Sequence, residues 1–427
     1  MRKLCIFSVV FIAILITACS RSNNSYDQRI RVVFHDVPYQ TEKYLRIGYT
    51  LETWEYEKEG LELQQIKVLD GETREELLII DKGNLPKIHK DPIAPSPYFV
   101  VDKLKNYYLS IQLPIPLGKT PPRDVFHRFI LKNLTDNSEL SIEGAAFSPR
   151  TSEMPLVIAS PLKGENLYFF NHSNMGYHFY VMIFINGKIY RSERYAIDTG
   201  ELKDDLTTYL KGDPKVNTSY FNYGRPLYAV ADGVVVHIQD GRRENSGDAK
   251  DVTFNSADEL AGNYLVLDIG GGRYAYYCHC IPNSFLVREG DIVKEGDPLA
   301  RLGNSGNSTA PHLHFHIADG SDLWTSNGIP FVLKEYIKTG IYVEPGPGTL
   351  LPHERFTNAM MENTTVFKVE FPVSSEGWYQ RGIYDGMEWY RMYTVSDLSG
   401  ATLVAEAITK TYFDIKEYQG NDAAYTY

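Results

Sequence analysis

Apolar and polar residues alternate along most of this chain in short runs, cut by polar turn residues roughly every 10 to 15 positions. Successive side chains of a β-strand point to opposite faces, so such runs read as strands with one buried face. "RIRVVFHDV", "YLRIGYTLETW", "LELQQIKVLDG", "YYLSIQLPIPL" and "VFHRFILKNL" follow one another from about residue 30 to 150, the domain itself being placed at 31–150. They predict an N-terminal immunoglobulin-like β-sandwich. The 31 Tyr and 20 Phe suit half-buried strand faces, and the chain as a whole reads as mostly β. His35, His89 and His127 stand alone in this region and read as surface or core histidines. "KIHKDPIAPSPYF" reads as a Pro-rich loop, and "FSPRTSEMP" as a boundary before a second domain at 155–345. "EPGPGTLLP" opens a β-rich C-terminal extension over 346–427.

With 427 residues, 43% of them hydrophobic, the chain can bury two or three domain cores. A formal charge of −11 leaves no basic footprint for nucleic acid. Residues 1–18 carry Arg2 and Lys3, then an apolar run too short to span a bilayer, and read as a signal peptide. Ile16-Thr17-Ala18-Cys19 resembles a bacterial lipobox, which implies cleavage before Cys19, lipidation of its sulfur and a membrane anchor. Residues 19–30 then form a polar tether. Ser20 after that cysteine suggests, by resemblance to Gram-negative sorting rules, the outer membrane facing the periplasm. Cys278 and Cys280, two positions apart on one expected strand, are ill placed for a disulfide and read as reduced core residues. If that strand is regular, both face away from His279.

"PHLHFHIADG" puts His312, His314 and His316 at every second position of an expected strand, hence on one face about 7 Å apart. Three imidazoles on one face could hold a metal. The segments "AVADGVV", "VREGDIVKEGD" and "GNSGNSTAPHLHF" occur in that order, with "YYCHC" between them. Together the stretch from about 194 to 336 resembles the lysostaphin-type (LytM-type) zinc metallopeptidases, the peptidoglycan endopeptidases with a duplicated hybrid motif fold. The resemblance implies an antiparallel β-sheet peptidase domain, one Zn²⁺ ion and peptidoglycan peptides as substrate. It implies Asp198 and His314 as metal ligands, and His279 and His312 as the catalytic histidines. Three protein ligands would leave zinc an open position for water, whose pKa then falls to about 7. His312 would orient or deprotonate that water, and His279 would stabilise the oxyanion.

The chain departs from the family pattern at the first metal motif. In "RSERYAIDTG" Asp198 stands where the carboxylate belongs, but position 194 is Arg rather than His. A guanidinium keeps its proton and has no lone pair for zinc. At 4 Å and an effective dielectric of 20 it would be repelled by a divalent ion by roughly 8 kcal/mol. Either Arg194 turns away, or it pairs with Asp198 and the metal is weakly held or absent. His316, where the family usually has Glu, is a milder departure. "HFYVMIFINGKIYRSERYAID" reads as a hairpin about Asn186-Gly187 that pairs Ile185 with Lys188. Continued, it sets His178 opposite Tyr195, and a one-residue bulge would bring it to the face of Asp198. His178 is therefore a possible third metal ligand. Two functions follow from these alternatives: a lipid-anchored zinc endopeptidase of the cell wall, or a metal-poor relative that binds peptidoglycan or activates another hydrolase.

Overall fold

The alternating runs do form strands, and the computed structural model describes them over residues 26–83, 107–170, 177–185, 187–254, 256–342, 347–362, 365–369, 377–384, 387–394 and 402–407. The signal segment with Cys19, the loop around His89, and Asn186 lie outside the described residues. All regular structure among the described residues is strand or short 3-10 turn.

The described strands between Arg31 and Phe147 build two four-stranded sheets. In one, Tyr44–Thr53 pairs along its whole length with Tyr107–Pro116 and on its other edge with Arg31–His35 and Tyr39–Gln40. In the other, the order is Glu76–Asp81, Leu61–Asp70, Val125–Asn133, Glu139–Phe147. Ile47, Tyr49 and Leu51 alternate on one face of the first sheet and join Ile66, Val68, Phe129 and Leu131 of the second in one core. The intervening Gly48, Thr50 and Ser110 are not solvent-facing: side chains from around residue 194 cover them. That second contact explains why every residue from Arg46 to Thr53 is buried, where a two-layer sandwich would expose alternate ones.

An eleven-stranded sheet follows. Its strands run, edge to edge, Ile292–Val293, Gly233–Gln239, Asn263–Asp268, Tyr274–Cys280, Leu313–Ala318, Ile197–Glu201, Gly164–Phe170, Thr365–Val369, Phe331–Ile341 and Thr349–Ala359. Leu156–Ile158 adds parallel to Phe331–Ile341, and the other pairings are antiparallel. Thr349–Ala359 and Thr365–Val369 thus complete this sheet, while Gly377–Tyr384, Met387–Thr394 and Thr402–Ala407 form a separate three-stranded one. Met360 donates its amide to the Gln40 carbonyl, and Glu362 binds Thr41 and Arg46, so the late strands also clasp the N-terminal sheets.

The hairpin expectation holds for three pairs only. Ile185 opposes Lys188 as expected, but the ladder ends at Ile183 and Tyr190. Tyr177–Tyr180 is a 3-10 turn, so His178 does not lie opposite Tyr195 in either register. The cause is on the other arm, where residues 191–196 coil into tight turns, Arg194 N–H donating to the Arg191 carbonyl and Ala196 N–H to that of Glu193.

Candidate metal centre

Adjacent central strands supply the first two groups. Asp198 and His314 are directly opposed in the ladder between Ile197–Glu201 and Leu313–Ala318, so their side chains share a face. His314 Nδ1 lies 3.1 Å from Asp198 Oδ1. His178 reaches the same carboxylate from the 3-10 turn, Nε2 to Oδ2 3.7 Å, its ring 4.7 Å from and perpendicular to that of His314. One donor atom each from His178, Asp198 and His314 lie within 4.8 Å of one another, and all three residues are buried.

His279 arrives by a bulge. On either side of it Asn263 pairs with Cys280 and Leu265 with Tyr277, so the Tyr274–Cys280 strand carries one extra residue. His279 takes a positive φ of 64°, and the bulge turns its ring toward the site, 4.8 Å from that of His312 and 5.9 Å from that of His314. The regular strand on which both cysteines would face away from His279 is therefore not what forms. Cys278 packs with Tyr276 and Cys280 in the main core on the other side. Both thiols are free.

Hydrogen bonds set the protons. His279 Nδ1 lies 2.7 Å from the Ser305 carbonyl and His312 Nδ1 2.8 Å from that of Ala310, so each Nδ1 carries a hydrogen and each neutral ring offers Nε2 as an acceptor. His312 Nε2 is 3.5 Å from Asp198 Oδ1. Ser308 Oγ, 3.1 Å from His312 Nδ1 and 2.7 Å from Asn304 Oδ1, backs the ring from the loop before it. His316 sits behind His314: its Nδ1 is 3.2 Å from His314 Nε2 and its ring stacks on Tyr276.

Charge follows from this crowding. Burial would raise the Asp198 carboxyl, but His178, His312 and His314 around it hold it far below the usual range. Burial would lower His314, but its hydrogen bond to Asp198 and the charge of that carboxylate raise it. Burial, then the imidazoles nearby, push His279 and His316 well below an ordinary histidine. One buried carboxylate among imidazoles, once these have given up any second proton, is the donor set zinc takes.

Arg194 does not oppose this site. Its side chain is fully buried on the other side of the turn, Nε 2.9 Å from Asp36 Oδ2, and the pairing with Asp198 does not occur. Neither Asp36 nor the turn holding His178 carries a periodic signature by which sequence could have found them.

One carboxylate, that of Asp198, and the imidazoles of His178, His279, His312 and His314 thus gather beside the central strands of a mostly β domain, and three of these groups could hold a metal ion. Residues 219–325 match the model of peptidase family M23. The match takes in His279, His312 and His314 and begins beyond His178 and Asp198. Over 94 residues the chain is 31% identical to the peptidoglycan DD-endopeptidase ShyB of Vibrio cholerae, covering 22% of this chain and 18% of that one. Over 134 residues it is 29% identical to lysostaphin of Staphylococcus staphylolyticus, covering 30% and 24%. It thus spans less than a quarter of the length of either relative. A solved catalytic domain of lysostaphin from Staphylococcus simulans aligns at 24% identity and a TM-score of 0.20, covering 28% of this chain and 84% of that one.

Proposed function

We propose that the protein is a zinc endopeptidase that cuts peptide bonds in peptidoglycan, held at the bacterial cell envelope, at the outer membrane facing the periplasm, by lipid on Cys19. The observation that carries the reading is the buried convergence of His178, Asp198 and His314 beside the rings of His279 and His312. Two neutral imidazole nitrogens and one carboxylate would hold a zinc ion and leave it a further position. Bound there, zinc would supply Lewis-acid polarisation of a carbonyl and an activated water.

The chain's own part is proton transfer. His312 and His279, each with Nδ1 tied to a backbone carbonyl, present Nε2 to the same space. Either can accept a proton from an attacking water, and it then holds an Nε2–H to donate to the oxyanion or the leaving amine. His312 Nε2 is also the one that lies near Asp198, at 3.5 Å from Oδ1. His279 becomes an oxyanion donor only once protonated. The metal-poor alternative rests on Arg194, and the ion pair of that residue with Asp36 favours the zinc reading over it.

Elemental analysis of the purified protein, with release of soluble fragments from isolated cell walls, tests the reading. We expect one zinc per chain, lost in His178→Ala and not increased in Arg194→His, with hydrolysis following metal content. Wild-type protein without zinc, or a His178→Ala variant that keeps all of it, would remove the basis of the proposal. The anchor is tested separately: Cys19→Ser should move the protein from the membrane to the soluble fraction, because each buried acyl CH₂ contributes about 0.8 kcal/mol.

A further inference from the structure

We infer that Arg194, acting with Asp36 and Phe179, is a positioning residue that holds His178 over Asp198, so that the first N-terminal sheet is part of the metal centre. This rests on the reading of His178, Asp198 and His314 as ligands. Asp198 and His314 are fixed by ladder bonds, whereas His178 stands on a four-residue 3-10 turn outside any sheet. Something else must hold that turn. The guanidinium of Arg194 lies 4.1 Å from the ring centre of Phe179, the residue after His178, and its Nη1 is 3.5 Å from the Phe179 carbonyl.

Arg194 is itself tied on every nitrogen. Nε donates to Asp36, Nη1 to Thr50 Oγ1 at 3.2 Å and Ser110 Oγ at 3.1 Å, and Nη2 to the Tyr49 carbonyl at 3.0 Å. Asp36 in turn accepts from Arg191 and from the Tyr195 hydroxyl. The backbone has made room for this cluster: a Cβ on Gly48 would lie 2.5 Å from Tyr195 Oη and 3.7 Å from Arg194 Nη2. Two buried cations share one carboxylate here, an arrangement apolar residues could replace with no loss of stability, whereas a planar fork fixes several neighbours in one geometry. The turn at 191–196 that presents Arg194 also leads directly into Asp198. One guanidinium therefore braces the segments bearing two of the three ligands against the N-terminal sheet.

The test uses the full chain stripped of metal, with zinc affinity from chelator competition and amide exchange over residues 177–182 in the metal-free protein. Phe179→Leu and Arg194→Lys should each lower zinc affinity about 10- to 100-fold, the range seen when a ligand loses its support. Exchange at 177–182 should rise in both while unfolding stays cooperative. Thr50→Val, which removes one acceptor with little change in volume, should move both readouts the same way by less. If Arg194→Lys does not fold, Phe179→Leu and Thr50→Val leave the charges in place and decide the matter. A brace between sheets alone would lower stability and leave zinc affinity unchanged. Folded Phe179→Leu with wild-type zinc affinity and wild-type exchange overturns the inference. A wild type that takes up no zinc, with exchange still raised in Phe179→Leu, overturns the reading of the ligands and leaves the positioning of His178 standing.

Discussion

His316 decides the proton on His314. In the metal-free arrangement His314 Nδ1 faces Asp198 and donates to it, so in the neutral ring Nε2 is left to accept from His316 Nδ1–H. To offer Nδ1 to a metal, His314 must carry its proton on Nε2 and give it to His316 Nδ1, which moves the His316 proton to its other nitrogen. That other nitrogen is buried with no hydrogen-bond partner, a cost of about 1–3 kcal/mol in an otherwise satisfied site. Only a ring that can reverse its tautomer serves both states. His316→Ala should therefore weaken zinc binding about 10- to 100-fold without abolishing it, while His314→Ala should abolish it. Chelator competition measures both, and unchanged affinity in His316→Ala would show that the second ring is merely packed. The alternation in "HLHFH" put these rings on one face, but which of them backs the other depends on a lateral neighbour, Tyr276, that no spacing reveals.

Among the elements, the Ile197–Glu201 strand carries the tightest constraint. A Cβ at Gly200 would lie 2.4 Å from two ring carbons of Tyr168 on the neighbouring strand. Gly200→Ala must displace that ring or bend the strand two residues after Asp198, and should cost about 1–3 kcal/mol of stability. Urea unfolding checks it, and Tyr168→Ala in the same chain should recover much of the loss; an unchanged midpoint in Gly200→Ala would mean that the ring yields freely. Strands were the legible part of this fold, because a period of two survives in sequence whatever the strand pairs with. The family motifs led to Asp198, His279, His312 and His314, which the structure does gather. What escaped were the irregular pieces. The bulge that aims His279 depends on an extra residue seen only against the Asn263–Asp268 strand, and the turn of His178 has no repeat to recognise. The partner of Arg194 is Asp36, far back in the chain, and such a pairing is set by packing of whole sheets.

At the scale of the molecule, one core runs through the N-terminal sheets and the site sheet, so a titrating group in one should be felt by all. His127, buried between the Tyr49 hydroxyl and the Ala145 carbonyl, is pushed down to about 4 by burial. The unfolded chain takes up that proton near pH 6.5, the folded one only near 4. Its contribution is thus complete above pH 6.5 and is lost as pH falls toward 4, about 3 kcal/mol in total. His127→Gln should flatten the fall of melting temperature between pH 6.5 and 4.5, and an unaltered slope would assign the acid sensitivity elsewhere. The order of strands has a temporal side as well. Gly164–Phe170 has Thr365–Val369 on one edge, joining Gly164 to Val369. During synthesis the ribosome makes the first of these long before the second, and until residue 369 emerges one edge of the strand beside Asp198 stays open to any passing chain. A nascent chain halted before that point should aggregate, and Thr365–Val369, the strand of the site sheet that is made last, is the piece whose arrival closes it.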